Sequence, residues 1–428
     1  MLPRLAILAL AVVWAAPAGG PPRLTAEQQR LNIESFEHVW TTVRDKHWDP
    51  KLGGLDWQAV HDELRPQLER ATTMEQARAV MEDMLARLKQ THFGIVPDEV
   101  YEEMEGGGKG EGRTGIEVRV VEGRALVVSI DPDSPAAKSA VSPGWEIEGV
   151  DGKLLAPGLR KIDRNFRDST LHDLMLERAV SARLAGGEGS RVKVSFRDAR
   201  GRSTTLDMEC ARPRGAEFTF GNLPPMYFWV DSRKLRPDVG YIGFNLFFAP
   251  ETLNKAFENA IRDCAACRGF VVDLRGNLGG IGGLAPGVAG WFLDRPGLRL
   301  GDMLLRSSKL KFVVFPRPAP FRGRLAILVD GCSASTSEIF AGGMQDLKRA
   351  RVFGMRSAGA ALPSFFERLP NGDGFQYAIA NYVSEGGKQL EGAGVIPDET
   401  AGPTRRELLK GRDPALDRAL AWIEGSKN

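Results

Sequence analysis

Between Thr25 and Leu88 apolar residues recur three and four positions apart. Ile33, Phe36, Val39, Trp40 and Val43 form one such stripe; Ala77, Val80, Met81, Met84, Leu85 and Leu88 form another. That period belongs to helices with one buried face. Thr25 with Gln28, and Thr73 with Gln76, stand in capping-box spacing ahead of the first and last of them. After Gly106-Gly-Gly-Lys-Gly-Glu-Gly112, a flexible linker by composition, the pattern shortens. Residues 115–120, 126–130, 192–196 and 203–208 read as strands, and 134–140 as a short helix. From about Phe218 strands and helices alternate. Residues 239–244, 269–274, 325–329 and 351–353 read as strands; 250–263, 284–292 and a segment from Ser337 read as helices. Asn371-Gly-Asp-Gly374 is a tight turn between two more strands, 365–369 and 375–383. The succession predicts a multidomain α+β chain whose last large part is an α/β domain.

The first residues set a different limit. A basic start (Met1-Leu-Pro-Arg4), an apolar run from Leu5 to Ala16 and small residues at Ala16-Pro-Ala18 predict a secretory signal over 1–18. No later segment approaches the roughly 20 apolar residues of a membrane helix. An exported protein, periplasmic or extracellular, with no stable membrane span is expected. The formal net charge of +2, with no long Lys/Arg tract, gives no reason to expect nucleic acid as a partner. Four cysteines (Cys210, Cys264, Cys267, Cys332) are too few for a disulfide scaffold. Cys264 and Cys267 follow a helical run instead of opening a helix, so they read as helix-end cysteines, bridged or not, without redox chemistry. His38, His47, His61 and His172 read as structural or surface residues. The scattered histidines and the lack of an H-E-x-x-H motif predict no metal site, and no cofactor is expected.

Candidate chemistry concentrates in the segment from Ile327 to Phe340. A buried strand delivers three alternating serines, Ser333, Ser335 and Ser337, onto a helix start. Ser335 falls at the start itself, with Glu338 three residues on. Helix-start N–H groups and the positive dipole end suit an oxygen nucleophile whose attack creates an oxyanion. An ordinary capped helix is the plainer reading of the same residues. Asp273-Leu-Arg-Gly-Asn-Leu-Gly-Gly280 follows another apolar strand. Paired glycines there let backbone N–H groups approach a ligand that a Cβ would block. Without the Lys-Ser/Thr pair of a P-loop or a G-x-G-x-x-G opening, oxyanion donation suits Gly279 and Gly280 better than phosphate binding.

These strings, with Gln345-Asp346 and Gly394-Val-Ile-Pro-Asp398, resemble the C-terminal processing (tail-specific) serine peptidases and their tricorn-protease relatives. The resemblance implies a helical domain over 24–105, a PDZ-like domain over 110–212, a crotonase/Clp-protease-like α/β catalytic domain over 216–412, and a C-terminal helix or tail over 413–428. It implies Ser335 as nucleophile, with the N–H of Thr336 and the Gly279/Gly280 pair as the oxyanion hole. One departure is large. Where the better-known branch carries its lysine base, this chain has Ala360, and Lys348 comes too early to replace it. The tricorn-like branch instead pairs a hydroxyl and a histidine with a glutamate. Thr91-His92 and Glu391 match those places, which implies His92 as base oriented by Thr91 and Glu391.

The 115–208 segment resembles the PDZ domain of such proteases through Asp131-Pro-Asp-Ser-Pro-Ala-Ala137 and Pro143-Gly-Trp-Glu-Ile147. That implies a loop at Thr114, Gly115, Ile116 and Glu117 presenting N–H groups to a peptide's terminal carboxylate, with the peptide adding as a strand. A spacer or lid is the alternative. The expected activity is an exported serine peptidase acting on polypeptides. The rival is a catalytically inactive peptide- or apolar-ligand-binding protein on the same scaffold, as in retinoid-binding proteins of the vertebrate eye.

Overall fold

Three helices, Ala26–Lys46, Trp57–Glu69 and Met74–Ala86, open the chain. The computed structural model describes residues 23–98, 111–223 and 226–425, so the expected signal over 1–18 and residues 106–110 of the glycine-rich linker lie outside the described residues, while Glu111 and Gly112 belong to a short strand paired with Ala185–Gly187. Thr25 closes a full capping box with Gln28. At the third helix the Gln76 side chain reaches back to the Thr72 N–H, one residue earlier than the spacing suggests. The buried stripe of these helices does not close on itself. Phe36, Val39, Met81 and Leu85 share one core with Phe93, Ile95, Leu362, Phe375 and Tyr377. The backbone reason is a three-stranded antiparallel sheet in which Gly94–Val96 pairs with Gly374–Ala378, and that strand with Ser364–Arg368. A buried Arg78–Asp373 ion pair of 2.8 Å locks the hairpin to the helices. The expected strand over 375–383 breaks at Ile379, whose N–H turns back to Pro363. Ala380–Ser384 then pairs with Arg299–Leu305 in another sheet.

Strands Ile116–Val121, Arg124–Ile130, Glu146–Val150, Arg191–Arg197 and Ser203–Glu209 form the main sheet of a middle unit, in that order. Ile116–Val121 is an edge, and helix His172–Ser181 packs along it. The helix expected over 134–140 is a run of turns; Ala136 alone is fully buried there, so no apolar face exists to stabilise a helix. Two helices went unforeseen, Ala156–Phe166 and His172–Ser181. The second buries two different faces. Leu176 and Val180 join the core of its own sheet, whereas Leu171 and Leu174 pack on Cys332, Ala334, Ala358 and Ala360.

The last unit is built on a six-stranded sheet. Its order is Val230–Arg236, Val239–Phe244, Gly269–Asp273, Arg324–Val329, Ala350–Gly354 and Glu399–Thr400, parallel except for the first pair. Helices Pro250–Asp263 and Thr336–Asp346 bury one face through Phe257, Ile339 and Phe340; Pro414–Glu424 buries the other through Ala419 and Ile423. A sheet covered on both faces explains the unbroken apolar runs of its central strands. Ligands of such sheets bind outside the carboxyl ends of the strands. Here the carboxyl ends of Gly269–Asp273, Arg324–Val329 and Ala350–Gly354 lead into the glycine loop, the serine motif and the segment 357–361.

The middle unit docks on those same ends. Arg119 of the edge strand donates to Asp330, 2.7 Å away, and Asp330 also accepts the N–H groups of Gly276 and Cys332. A partly buried pair of this kind leaves a stranded charge when one partner is removed. Arg119→Ala is expected to lower the stability measured by guanidinium denaturation by about 3 kcal/mol. Arg30→Ala, which removes an exposed pair with Glu27, should leave the curve unmoved.

Candidate active site

Asn277, fully buried, builds one wall of the site. Its side-chain amide donates to the Phe244 carbonyl at 2.8 Å. Its Oδ1 accepts from the Gly279 N–H at 2.9 Å and from the Ser337 hydroxyl at 2.8 Å. Its own carbonyl accepts from the Ala334 N–H. Ser333 donates to the Leu274 carbonyl at 2.7 Å. The two outer serines of the motif are thus spent on holding the glycine loop, and Ser335 between them is not bonded to that loop. Ser335 has φ 54° and ψ −119°, a strained backbone that a non-glycine residue adopts only when its surroundings impose it.

Close approach of the loop demands glycine at 279. At φ 93°, a Cβ there would lie 2.6 Å from the Ser335 Cβ and 2.8 Å from the Thr336 nitrogen. With its N–H taken by Asn277, Gly279 fixes the loop. The Gly280 N–H has no hydrogen-bond partner among the described residues, and neither has that of Thr336. The Thr336 hydroxyl donates to the Gly280 carbonyl at 2.8 Å and holds these two amides together. Of the three expected donors, Gly280 and Thr336 keep theirs available.

Glu338 forms the other support. Its buried carboxylate accepts from the Ser357 hydroxyl (2.6 Å) and from the N–H groups of Gly359 (2.8 Å), Ala360 (2.9 Å) and Ser335 (3.0 Å). Burial pushes its carboxyl up to about 7, against the pull of those four bonds. The Ser335 N–H also reaches the Ala360 carbonyl at 2.7 Å. Ala360 itself is fully buried among Leu171, Leu174, Cys332 and Ala334, so an ammonium at this position would lie in apolar surroundings. Lys348 is exposed beyond the far end of the helix.

Thr91, His92 and Glu391 come together. Glu391 accepts from the Thr91 N–H at 2.8 Å, the Thr91 hydroxyl at 2.9 Å and the Ala361 N–H at 3.1 Å. The Thr91 oxygen lies 2.7 Å from His92 Nδ1. Because the hydroxyl proton goes to Glu391, Nδ1 must carry the proton of the second bond, which leaves Nε2 with a free lone pair. His92 is 4 % exposed, at φ 61°. Burial first, and the charge of Arg178 second, push its imidazole down to about 3. The ring is neutral at physiological pH. No hydrogen bond joins it to the Ser335 hydroxyl, a looseness common before substrate tightens a site. The two groups meet through the one peptide group between Ala360 and Ala361, whose carbonyl accepts from Ser335 and whose N–H donates to Glu391.

Sequence reasoning missed three contributors: Asn277, the cross-unit role of Arg119, and Arg178. Only Asn277, inside the glycine string, carried a local signal. Arg178 is half-buried on helix His172–Ser181, and its guanidinium has no ion pair or hydrogen bond among the described residues. The loop from Thr114 to Glu117 begins the neighbouring edge strand. Gly115 sits at φ 79°, where a Cβ would strike Ser134 at 2.2 Å, and burial raises the Glu117 carboxyl. No group of side chains suited to hold a metal occurs among the described residues.

Residues 238–401 match the family model Peptidase family S41, and residues 33–86 match the Tricorn protease C1 domain. Residues 238–401 are an S41 peptidase domain. Similar proteins include a carboxy-terminal-processing protease of Bartonella bacilliformis, 26% identical over 76% of the chain and 69% of the relative. A Streptomyces coelicolor protein named as a tricorn protease homolog is 25% identical over 90% of the chain; the match spans 32% of that longer protein. Among solved structures, the photosystem II D1 C-terminal processing protease superposes with a TM-score of 0.57 at 22% identity, covering 92% of this chain and 99% of that one. Mature CPAF superposes with a TM-score of 0.64 at 14% identity, covering 94% and 99%. The fold is that of the S41 C-terminal processing proteases, and the chain is a serine-type peptidase.

Thr91→Ala removes the bond that fixes the imidazole. It should lower kcat about 100-fold, with KM little changed, in peptide-cleavage assays. The Glu338 carboxyl yields a sign for stability. Its pKa is higher folded than unfolded, so the stability it contributes is complete below about 4.5 and is lost as pH rises through about 7. In thermal melts at about pH 5 and about pH 8, Glu338→Gln should gain on the wild type at the higher pH.

Proposed function

We propose that this chain is an exported peptidase in which Ser335 attacks a peptide carbonyl while the PDZ-like middle unit holds the substrate's free C-terminus. Nε2 of His92 takes the Ser335 proton as the Oγ–carbon bond forms. The oxyanion is received by the N–H groups of Gly280 and Thr336; one such donor contributes about 3 kcal/mol to the transition state. The imidazolium returns its proton to the leaving amine as the peptide bond breaks, and water hydrolyses the acyl-enzyme by the same route. The observation that carries this reading is the bonded chain Glu391–Thr91–His92, which leaves Nε2 unprotonated. An inactive binding protein has no need of a tautomer-fixing relay beside two free amides.

Support for C-terminal recognition comes from Arg178. It faces His92 from a helix lying along the edge strand, within charge range of Arg113 at the entrance of the Thr114–Glu117 loop. A carboxylate paired with it would complete an unpaired cation and relieve its opposition to the imidazolium. The closed Cys264–Cys267 disulfide supports an oxidising, exported setting. A fluorophosphonate serine-hydrolase probe should label the wild type and fail on Ser335→Ala; labelling that survives this change removes Ser335 as nucleophile. Peptides with a free C-terminal carboxylate should show a KM about tenfold or more below that of their amides. Arg178→Gln should abolish the difference, and an unchanged ratio would remove Arg178 from recognition.

A further inference from the structure

Beside the two free amides stands a wall of aromatic rings that the proposed chemistry leaves unused. Phe247 is bonded through its backbone to Gly279 (2.7 Å) and Ile281 (2.9 Å), in a parallel bridge with Gly280. That bridge presses the next residue against the oxyanion loop. At φ 140°, a Cβ on Gly280 would lie 3.0 Å from a ring carbon of Phe248. The Phe248 ring in turn meets Phe218 at 5.3 Å and Phe220 at 5.6 Å between centroids. These two belong to, or directly follow, the strand Ala216–Phe218, which pairs with Met226–Phe228. The loop after Phe220 is pinned on its other side, where the Asn222 amide donates to the Phe366 carbonyl at 3.2 Å. Phe248 is 5 % exposed and Phe220 is 48 % exposed. The wall therefore runs from the buried oxyanion amides outward to solvent.

A large ring held half in water by a fixed loop gains nothing from burial until something covers it. What must lie beside Gly280 during reaction is the substrate residue whose carbonyl is attacked, or its neighbour across the scissile bond. We infer that Phe218, Phe220 and Phe248 form an apolar subsite that selects an aromatic or large aliphatic side chain flanking the bond to be cut. This rests on the reading of Gly280 and Thr336 as the oxyanion hole. A side chain of that class covers Phe220 and fills the angle between the rings; a small or charged one leaves the rings wet or pays for its own desolvation.

The test uses the Ser335→Ala chain, in which binding is read without turnover. Fluorescein-labelled Gly/Ala decapeptides carrying a single Phe or a single Ser, all with the same C-terminus, are titrated by anisotropy. The Phe peptide should bind about tenfold or more tightly than the Ser peptide at one position of the scan. Phe220→Ser, a change at a half-exposed site, should close that gap. Equal binding of the two peptides at every position, or a gap that survives Phe220→Ser, overturns the subsite. Cleavage by the otherwise unaltered enzyme is scored separately by mass spectrometry. Loss of the anisotropy gap with cleavage intact counts against the aromatic wall alone; a gap without any cleavage keeps the wall and counts against the peptidase reading.

Discussion

A single peptide group, the one joining Ala360 to Ala361, carries the architecture of the site. Its carbonyl accepts the N–H of Ser335, and its N–H donates to the carboxylate that orients Thr91 and His92. Three segments far apart in sequence are thereby set to one reference, and the reference is backbone, which no rotamer change can move. Glu338 fixes the two peptide groups just before it through its bonds to the N–H groups of Gly359 and Ala360. Glu391 fixes the shared group itself through the Ala361 N–H. Glu338 is buried and Glu391 partly so, and the loss of water is compensated by hydrogen bonds aimed at them from backbone N–H groups. Catalytic alignment and folding stability are therefore borne by the same few contacts.

This dependence explains why the helical segment shares its core with the hairpin at 364–378. Thr91 and His92 lie in the short connection between helix Met74–Ala86 and strand Gly94–Val96, which is zipped to that hairpin. The hairpin follows Ala361 by only a few residues. Packing of Phe93, Leu362 and Phe375 in one core sets the height of the imidazole relative to the serine. The middle unit adds two cations at the same place. Arg119 is neutralised by Asp330; Arg178 forms no ion pair among the described residues, is offset in part by the nearby charge of Glu177, and weighs on His92. The neutral imidazole and the Arg178 charge are the two features on which the proposed recognition of a substrate's negative end rests.

Much of this was legible in the chain. The apolar runs gave strands Val239–Phe244 and helix Pro250–Asp263 with their ends, because a two-face-buried sheet and a one-stripe helix leave unmixed patterns. Ser335 stood out because a capping residue between two other serines is an unusual use of hydroxyls. Helix His172–Ser181 stayed hidden because its apolar residues serve two cores and blur its period. The turns at 134–140 imitate a helix in composition without an apolar face to bury. Spacing also could not divide labour between adjacent glycines: Gly279 and Gly280 differ only in which N–H Asn277 consumes. Nor could it reveal Arg178, since a charge without a partner leaves no mark on a sequence.

The most direct measurement is a crystal structure of the wild-type chain with a fluorophosphonate bound covalently to Ser335. The account predicts His92 Nε2 within about 3.2 Å of the serine oxygen or of the adduct's leaving-group side. It also predicts the phosphoryl oxygen about 3 Å from the N–H groups of Gly280 and Thr336, with Glu391, Thr91 and Nδ1 still bonded in series. An adduct whose imidazole is turned away from Ser335 while another side chain occupies the base position would contradict it.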